Sequence, residues 1–153
     1  TNFDGFAHVG CNNTFYNGVK HTDIIGPKGA KNFVMEKVPP IVTRGVLVDM
    51  FAYKGRNLEP NEAIHLDDLK ACLKKQGVEL RQGDAPLINT GWMRLWGVND
   101  KKFLPSCPGI EPDVARYLVE KGVVGVGIDQ WHSDTIFARR MRRPRHVFQT
   151  LSA

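Results

Sequence analysis

The chain is 153 residues long, 42% hydrophobic and 24% charged, with a formal net charge of +5. That size buries one hydrophobic core, so a single domain over residues 1–153 is the default expectation. A membrane helix needs about 20 consecutive apolar residues; the longest apolar stretch, Val123 to Ile128, is strand-sized and contains glycines, so no membrane partner is expected.

In chain order, the first eight residues set Asp4 and His8 four positions apart in a glycine-punctuated segment. Carboxylate and imidazole suit a hydrolytic divalent cation. Without metal, the same pair can serve as a general base and the group that orients it. Alone, D-x-x-x-H is a weak signal and more often structural. Residues 10–32 are rich in Gly, Asn, Thr and Lys, with turn signals at Asn12-Asn13, Asn17-Gly18 and Gly26-Pro27-Lys28-Gly29. A surface excursion of this length carries function or disorder. Asn32 to Val38 fits a short element that Pro39-Pro40 ends.

Ile41 to Met50 reads as a strand, apolar on both faces as central strands are. Arg44-Gly45 interrupts it as a bulge or close backbone approach. A helix opens at His65-Leu66-Asp67-Asp68, with Leu66, Leu69 and Leu73 at helical spacing and Gly77 at its stop. Its terminal charges complement the helix dipole and call for no functional explanation. Asp84 to Thr90 is a second strand, followed by Trp92 and Trp96. Glu111 to Lys121 is helical, with Pro112 in the first turn, an apolar stripe of Val114, Tyr117 and Leu118, and Gly122 as the stop. Val123 to Ile128 is a third strand, ending at Asp129. This alternation predicts an α/β domain with an at least partly parallel sheet and right-handed crossovers. Functional groups then belong at strand ends and in loops.

Beyond Asp129, the run Asp-Gln-Trp-His-Ser-Asp brings His132 and Asp134 into a local polar network, with turn capping as an equally weighted reading. Arg139, Arg140, Arg142, Arg143 and Arg145 stand beside His146. Without those five, basic and acidic residues balance at 16 each, so the whole charge excess lies there. A polyanion patch, a solvated loop and a subunit contact all fit such a cluster. No aromatic platform accompanies it, so nucleic acid is not an expected partner. Cys11, Cys72 and Cys107 are odd in number and never spaced C-x-x-C, which argues against a disulfide framework or a structural zinc site. Cys72 reads as a small buried hydrophobe. A reduced, cytoplasmic setting is expected, and no secretory leader is visible.

Five blocks carry more weight together than any one motif: Thr1-Asn2-Phe3-Asp4-Gly5-Phe6-Ala7-His8; Arg44-Gly45-Val46-Leu47-Val48-Asp49; Gly83-Asp84-Ala85-Pro86-Leu87-Ile88-Asn89-Thr90-Gly91-Trp92; Pro108-Gly109-Ile110 with Gly125-Val126-Gly127-Ile128-Asp129; and His146-Val147-Phe148-Gln149-Thr150-Leu151. Their order resembles the cyclase family, which includes kynurenine formamidases and isatin hydrolases. The first resembles the second half of that family's H-x-G-T-H-x-D-x-x-x-H signature and the second its R-G-V-L-L-D strand. The third resembles its G-D-x-V-L-x-x-T-G-W segment, the fourth its P-G-L…V-G-x-D stretch, and the last its C-terminal histidine segment.

The resemblance implies a swivelling β/β/α domain, with a mixed sheet flanked by helices. It implies metal-dependent hydrolysis of amides, including N-formyl aryl amines, with zinc or manganese as cofactor and a homo-oligomeric state. By position, Asp4 is a metal ligand, His146 a second-site ligand and His8 the proton-transferring histidine. A small aryl amide is the implied substrate, for which Trp92, Trp96 and Trp131 are candidate pocket residues; Asp129 and His132 are further polar candidates. Three departures matter. The family's first histidine would fall before Thr1, its second is Asn2 here, and a glutamate expected after the His146 segment would lie beyond Ala153. Asn2 offers a carbonyl oxygen, a weaker zinc ligand than imidazole. These departures lead to the expectation of a fragment cut at both ends. Two alternatives stand beside this reading: a non-catalytic relative that binds an acidic partner through Arg139–Arg145, and metal-free acid–base catalysis by His8 and Asp129.

Overall fold

The computed structural model describes residues 5–8, 10–27 and 29–130, and the structural statements below refer to those residues. Packing divides them into two compact units, one up to Val42 and one from Thr43 onward, where the sequence reading treats 1–153 as one domain.

The first unit is built from turns. A 3-10 turn spans Tyr16–Gly18, helix α1 spans His21–Ile24, and strands β1 (Ile25–Gly26) and β2 (Gly29–Ala30) pair antiparallel. The excursion over residues 10–32 is thus locally structured where described. A second 3-10 turn, Met35–Lys37, is the short element expected before Pro39-Pro40. Phe6 stacks on Tyr16 with ring centroids 4.2 Å apart, and Phe33 meets both rings edge-on. Such arrangements suit the aromatic quadrupole, and here they tie the start of the chain to its first turns.

The second unit is α/β. Strand β3 (Gly45–Asp49) leads into helix α2 (Met50–Lys54), then β4 (Ala63–Ile64) and helix α3 (Leu66–Gln76). Strand β5 (Ala85–Asn89) follows, then a 3-10 turn over Trp92–Leu95 and helix α4 (Asp100–Phe103). Strand β6 (Gly109–Ile110), helix α5 (Pro112–Glu120) and β7 (Gly127–Ile128) complete it. One sheet has the order β3-β5-β7, all parallel, and β4 pairs parallel with β6. The expected parallel α/β core is therefore present, together with the antiparallel β1-β2 hairpin. Val46, Val48 and Ile88 turn one face of the sheet into the core, which Leu69, Leu73, Val114 and Leu118 of α3 and α5 also enter.

Three expectations need correction. The first strand is shorter than Ile41 to Met50: it begins at Gly45, and it ends at Asp49 because the Asp49 carboxylate accepts from Ala52 N–H and caps α2. Nor is it central. Among the described residues β5 lies in the middle, and Leu47 on β3 is half exposed. The third strand shrinks from Val123–Ile128 to Gly127–Ile128, since Gly122 turns the chain at φ +69° and the glycines that follow favour strand poorly. The helix bounds fare better: α3 ends where Gly77 takes φ +68°, the left-handed stop that glycine adopts at least cost.

Candidate functional site

The parallel sheet places one polar side chain at the carboxyl end of each strand: Asp49 after β3, Asn89 after β5 and Asp129 after β7. Strand register aligns the first two directly, and Asp129 N–H donates to the Ile88 carbonyl at 3.2 Å. In open α/β sheets this edge is where ligands bind. Here Asp49 and Asn89 bond to each other, and Asp129 bonds to Thr90, the residue that follows Asn89. Asn89 Nδ2 donates to Asp49 Oδ1 at 2.8 Å, while Asn89 Oδ1 accepts from Gly91 N–H at 3.1 Å. Asp129 Oδ1 accepts from Thr90 N–H at 2.8 Å and from Thr90 Oγ1 at 2.6 Å, and its Oδ2 faces Met93 N–H at 3.4 Å. Thr90 Oγ1 in turn accepts from Trp92 N–H at 3.2 Å. Asp129 is thus the acceptor that holds the turn after β5.

That turn is tight. Gly91 takes φ +76°, and a Cβ there would lie 2.5 Å from Asn57 Oδ1 and 2.8 Å from Phe51 Cδ2. Only glycine satisfies both constraints. Beyond it, Trp92 is fully buried with Phe103 and Cys107, and its indole N–H donates to the Phe103 carbonyl at 3.3 Å. Trp96 is 63% exposed and meets Phe103 edge-on at 5.2 Å. Met93, Val98 and Leu104 are also exposed on this segment, interspersed with exposed Arg94, Asn99, Asp100 and Lys101.

The amino-terminal end of the sheet carries a different network. Arg44 grips Asp84 with two bonds, Nε to Oδ1 at 2.8 Å and the guanidinium's second nitrogen to Oδ2 at 2.6 Å. Arg44 also reaches the Glu79 carbonyl, and Arg81 N–H donates to Asp84. These bonds, that from Arg44 first, pull the Asp84 carboxyl down to about 2. Cys72 is buried in α3, and burial, reinforced by the charge of Asp49, pushes its thiol up to about 11. A thiol so shifted stays protonated and unreactive.

Of the residues singled out from sequence, His8 lies exposed in a turn of the first unit, its N–H donating to the Gly5 carbonyl at 2.9 Å. Trp92, Trp96 and Asp129 belong to the second unit and gather around the turn after β5. Asn2, Asp4, Trp131, His132, Asp134, the Arg139–Arg145 cluster and His146 lie outside the described residues. Among the described residues, no three His, Cys, Asp or Glu side chains form a group that could hold a metal ion, and no helix is long and apolar enough to cross a membrane. Sequence reasoning missed Asn89, Thr90 and Gln76. The first two sit inside one of the family-like blocks, at Asn89-Thr90-Gly91-Trp92, whose turn chemistry was the available signal. Nothing local marks Gln76.

A profile of the Cyclase family matches residues 1–135. The chain belongs to this family. A crystal structure described as a novel cyclase is 31% identical, with a TM-score of 0.74 over 82% of this chain and 44% of that one. Isatin hydrolase A from Ralstonia solanacearum shares 22% identity with a TM-score of 0.59, covering 74% of this chain and 46% of its own. Isatin hydrolase A from Labrenzia aggregata, solved with benzyl benzoate, shares 19% identity with a TM-score of 0.55, over 70% and 43%. The two hydrolases are similar in fold. No match emerges among curated protein sequences. The chain spans less than half the length of each of these cyclase-fold structures.

Proposed function

We propose that this chain is part of a metal-dependent hydrolase of small aryl amides, of the arylformamidase type, acting on N-formyl or cyclic aryl amides. The observation that carries this reading is the cyclase-family match from residue 1 onward, which includes the Asp4–His8 segment. The fold shared with isatin hydrolases supports it. Asp4 and His146 would hold the cation, zinc or manganese, with Asn2 contributing a carbonyl oxygen. Carboxylate and imidazole suit such ions; the amide is better matched to the harder one. When bound, the cation supplies Lewis acidity toward water and the scissile carbonyl. His8 accepts a proton from the attacking water on an imidazole nitrogen and returns it to the leaving amine. Asp4 stays ionised, since only the carboxylate ligates. Trp92, Trp96 and Trp131 are the aromatic residues proposed to accompany an aryl substrate, with Asp129 and His132 as further polar groups, in a homo-oligomer.

The test combines metal analysis with turnover of an N-formyl aryl amine. Bound zinc or manganese, activity lost to chelation and restored by the metal, and an inactive Asp4→Ala variant are expected. Absence of bound cation together with chelator-resistant turnover refutes the mechanism, and full activity in Asp4→Ala refutes the site. The replacement of a ligand histidine by Asn2 favours a second reading, a non-catalytic relative that binds acidic partners through Arg139–Arg145. That reading requires polyanion retention that weakens steeply with salt and no turnover.

A further inference from the structure

We infer that Gln76 shuts the carboxyl-terminal half of the outer edge of β3 in the β3-β5-β7 sheet, acting there as a one-residue substitute for a neighbouring strand that keeps β3 from pairing with a second copy of this chain. Strand β3 alternates its backbone groups between two sides. The Arg44 carbonyl accepts from Ala85 N–H at 2.9 Å, so Arg44, Val46 and Val48 address β5, and Gly45, Leu47 and Asp49 address the outside. Among the described residues no strand pairs with that outer side. Exposed rows of strand N–H and C=O groups template edge-to-edge association, and proteins block them by specific devices.

Gln76, the last residue of α3, supplies the device. Its Nε2 donates to the Leu47 carbonyl at 2.9 Å, and its Oε1 accepts from Asp49 N–H at 3.0 Å. A residue of a neighbouring parallel strand makes this same pair of bonds, donating to the carbonyl before Val48 and accepting from the N–H after it. The side-chain amide therefore supplies in this slot the donor and acceptor that one residue of a neighbouring strand would supply. Its orientation is fixed from a third direction, because the Cys72 thiol lies 3.1 Å from the same Oε1. With Asp49 N–H and a protonated Cys72 facing the oxygen, and a carbonyl facing the nitrogen, the opposite flip would set like groups against each other. Leu47, half exposed beside this slot, supplies apolar surface that would reward association once the edge opened.

The test uses Gln76→Ala and Gln76→Met in the full chain, the second keeping side-chain length while removing the amide. Native-state amide exchange should accelerate at Asp49 by about fivefold or more, the loss of one hydrogen bond, while Val48, which faces β5, stays within about twofold of wild type. Light scattering should show a mean mass that climbs with concentration in both variants and climbs less in wild type. Unchanged exchange at Asp49, or wild-type mass in both variants throughout the concentration series, overturns the inference. So does loss of Ile88 protection in both, because Gln76 would then hold the fold itself and not its edge.

Discussion

Replacing Asp129 with alanine removes the acceptor of two short bonds from Thr90, a residue with no exposed surface. Hydrogen bonds to charged groups contribute about 1.5–3 kcal/mol each, and a buried donor left unmade costs a similar amount. Water reaching the half-buried position of Asp129 recovers part of the loss. The expected destabilisation is about 3 kcal/mol, a fall in Tm of about 6–12 °C for a chain of this length. Asp129→Asn keeps an acceptor for Thr90 but turns one face of an NH2 group toward Met93 N–H, and should cost about 1 kcal/mol. Thr90→Val removes the hydroxyl half of this link, leaving the backbone N–H bond in place, and also orphans Trp92 N–H. Combined with Asp129→Ala, it should show a coupling energy of about 1–2 kcal/mol. Urea denaturation followed by tryptophan fluorescence reads all four variants. A loss below about 0.5 kcal/mol in Asp129→Ala, or strictly additive single-site losses, refutes the assignment of Asp129 as the anchor of this turn.

The remaining predictions probe backbone, charge and chemistry separately. Gly91→Ala should cost about 3 kcal/mol, from positive φ and from overpacking against Asn57 and Phe51; Gly77→Ala, where a Cβ meets nothing, should cost about 1 kcal/mol by urea denaturation. Because Arg44 lowers the Asp84 carboxyl in the folded state, the stability Asp84 contributes is fully present above the ordinary carboxylate range. It is lost as pH falls through that range toward about 2. Arg44→Gln should therefore flatten the acid limb of a urea-midpoint-against-pH profile, and an acid limb identical to wild type would count against the pair. His8→Ala should lower kcat on an N-formyl aryl amine by about 10²–10⁴-fold, and equal kcat would remove His8 from the proposed chemistry. Cys72 should resist alkylation in the native protein and react at the unfolding transition, as mass spectrometry would show.

Much of the second unit was legible because its signals are local. Leu66, Leu69 and Leu73 repeat at helical spacing, Gly77 marks the stop, and Ala85–Asn89 has the apolar run of a buried strand. The errors arose where a side chain elsewhere decides. Met50 reads as the end of a strand until the Asp49 carboxylate is seen capping α2, and the apolar Leu47 reads as central until the sheet order exposes it. The bonds between Arg44 and Asp84 and between Thr90 and Asp129 each join residues about 40 positions apart. Their members appear in the motif blocks, but their pairing is a tertiary fact that no spacing rule delivers. Gln76 is the extreme case: a polar residue at an exposed helix end, indistinguishable in sequence from any solvated one.

The blocks that resemble the cyclase family therefore divide into two kinds. Arg44-Gly45, Gly83-Asp84, Thr90-Gly91-Trp92 and Gly127-Ile128-Asp129 meet in the second unit as fixtures of one sheet, where each polar side chain finds its partner within the protein. Arg44 and Asp84 tie the strand beginnings together; Asp49, Asn89, Thr90 and Asp129 tie the ends. Each satisfies a buried or strained backbone, which is sufficient physical reason for its residue type. Such blocks identify a fold and carry little information on chemistry, because fold and activity are separable. The chemical content of the resemblance rests instead on Asp4, His8 and His146, the positions that match the family's ligand and proton-transfer residues. For that reason the hydrolase reading stands or falls on variants at those three positions and not on the larger, better matched body of the chain.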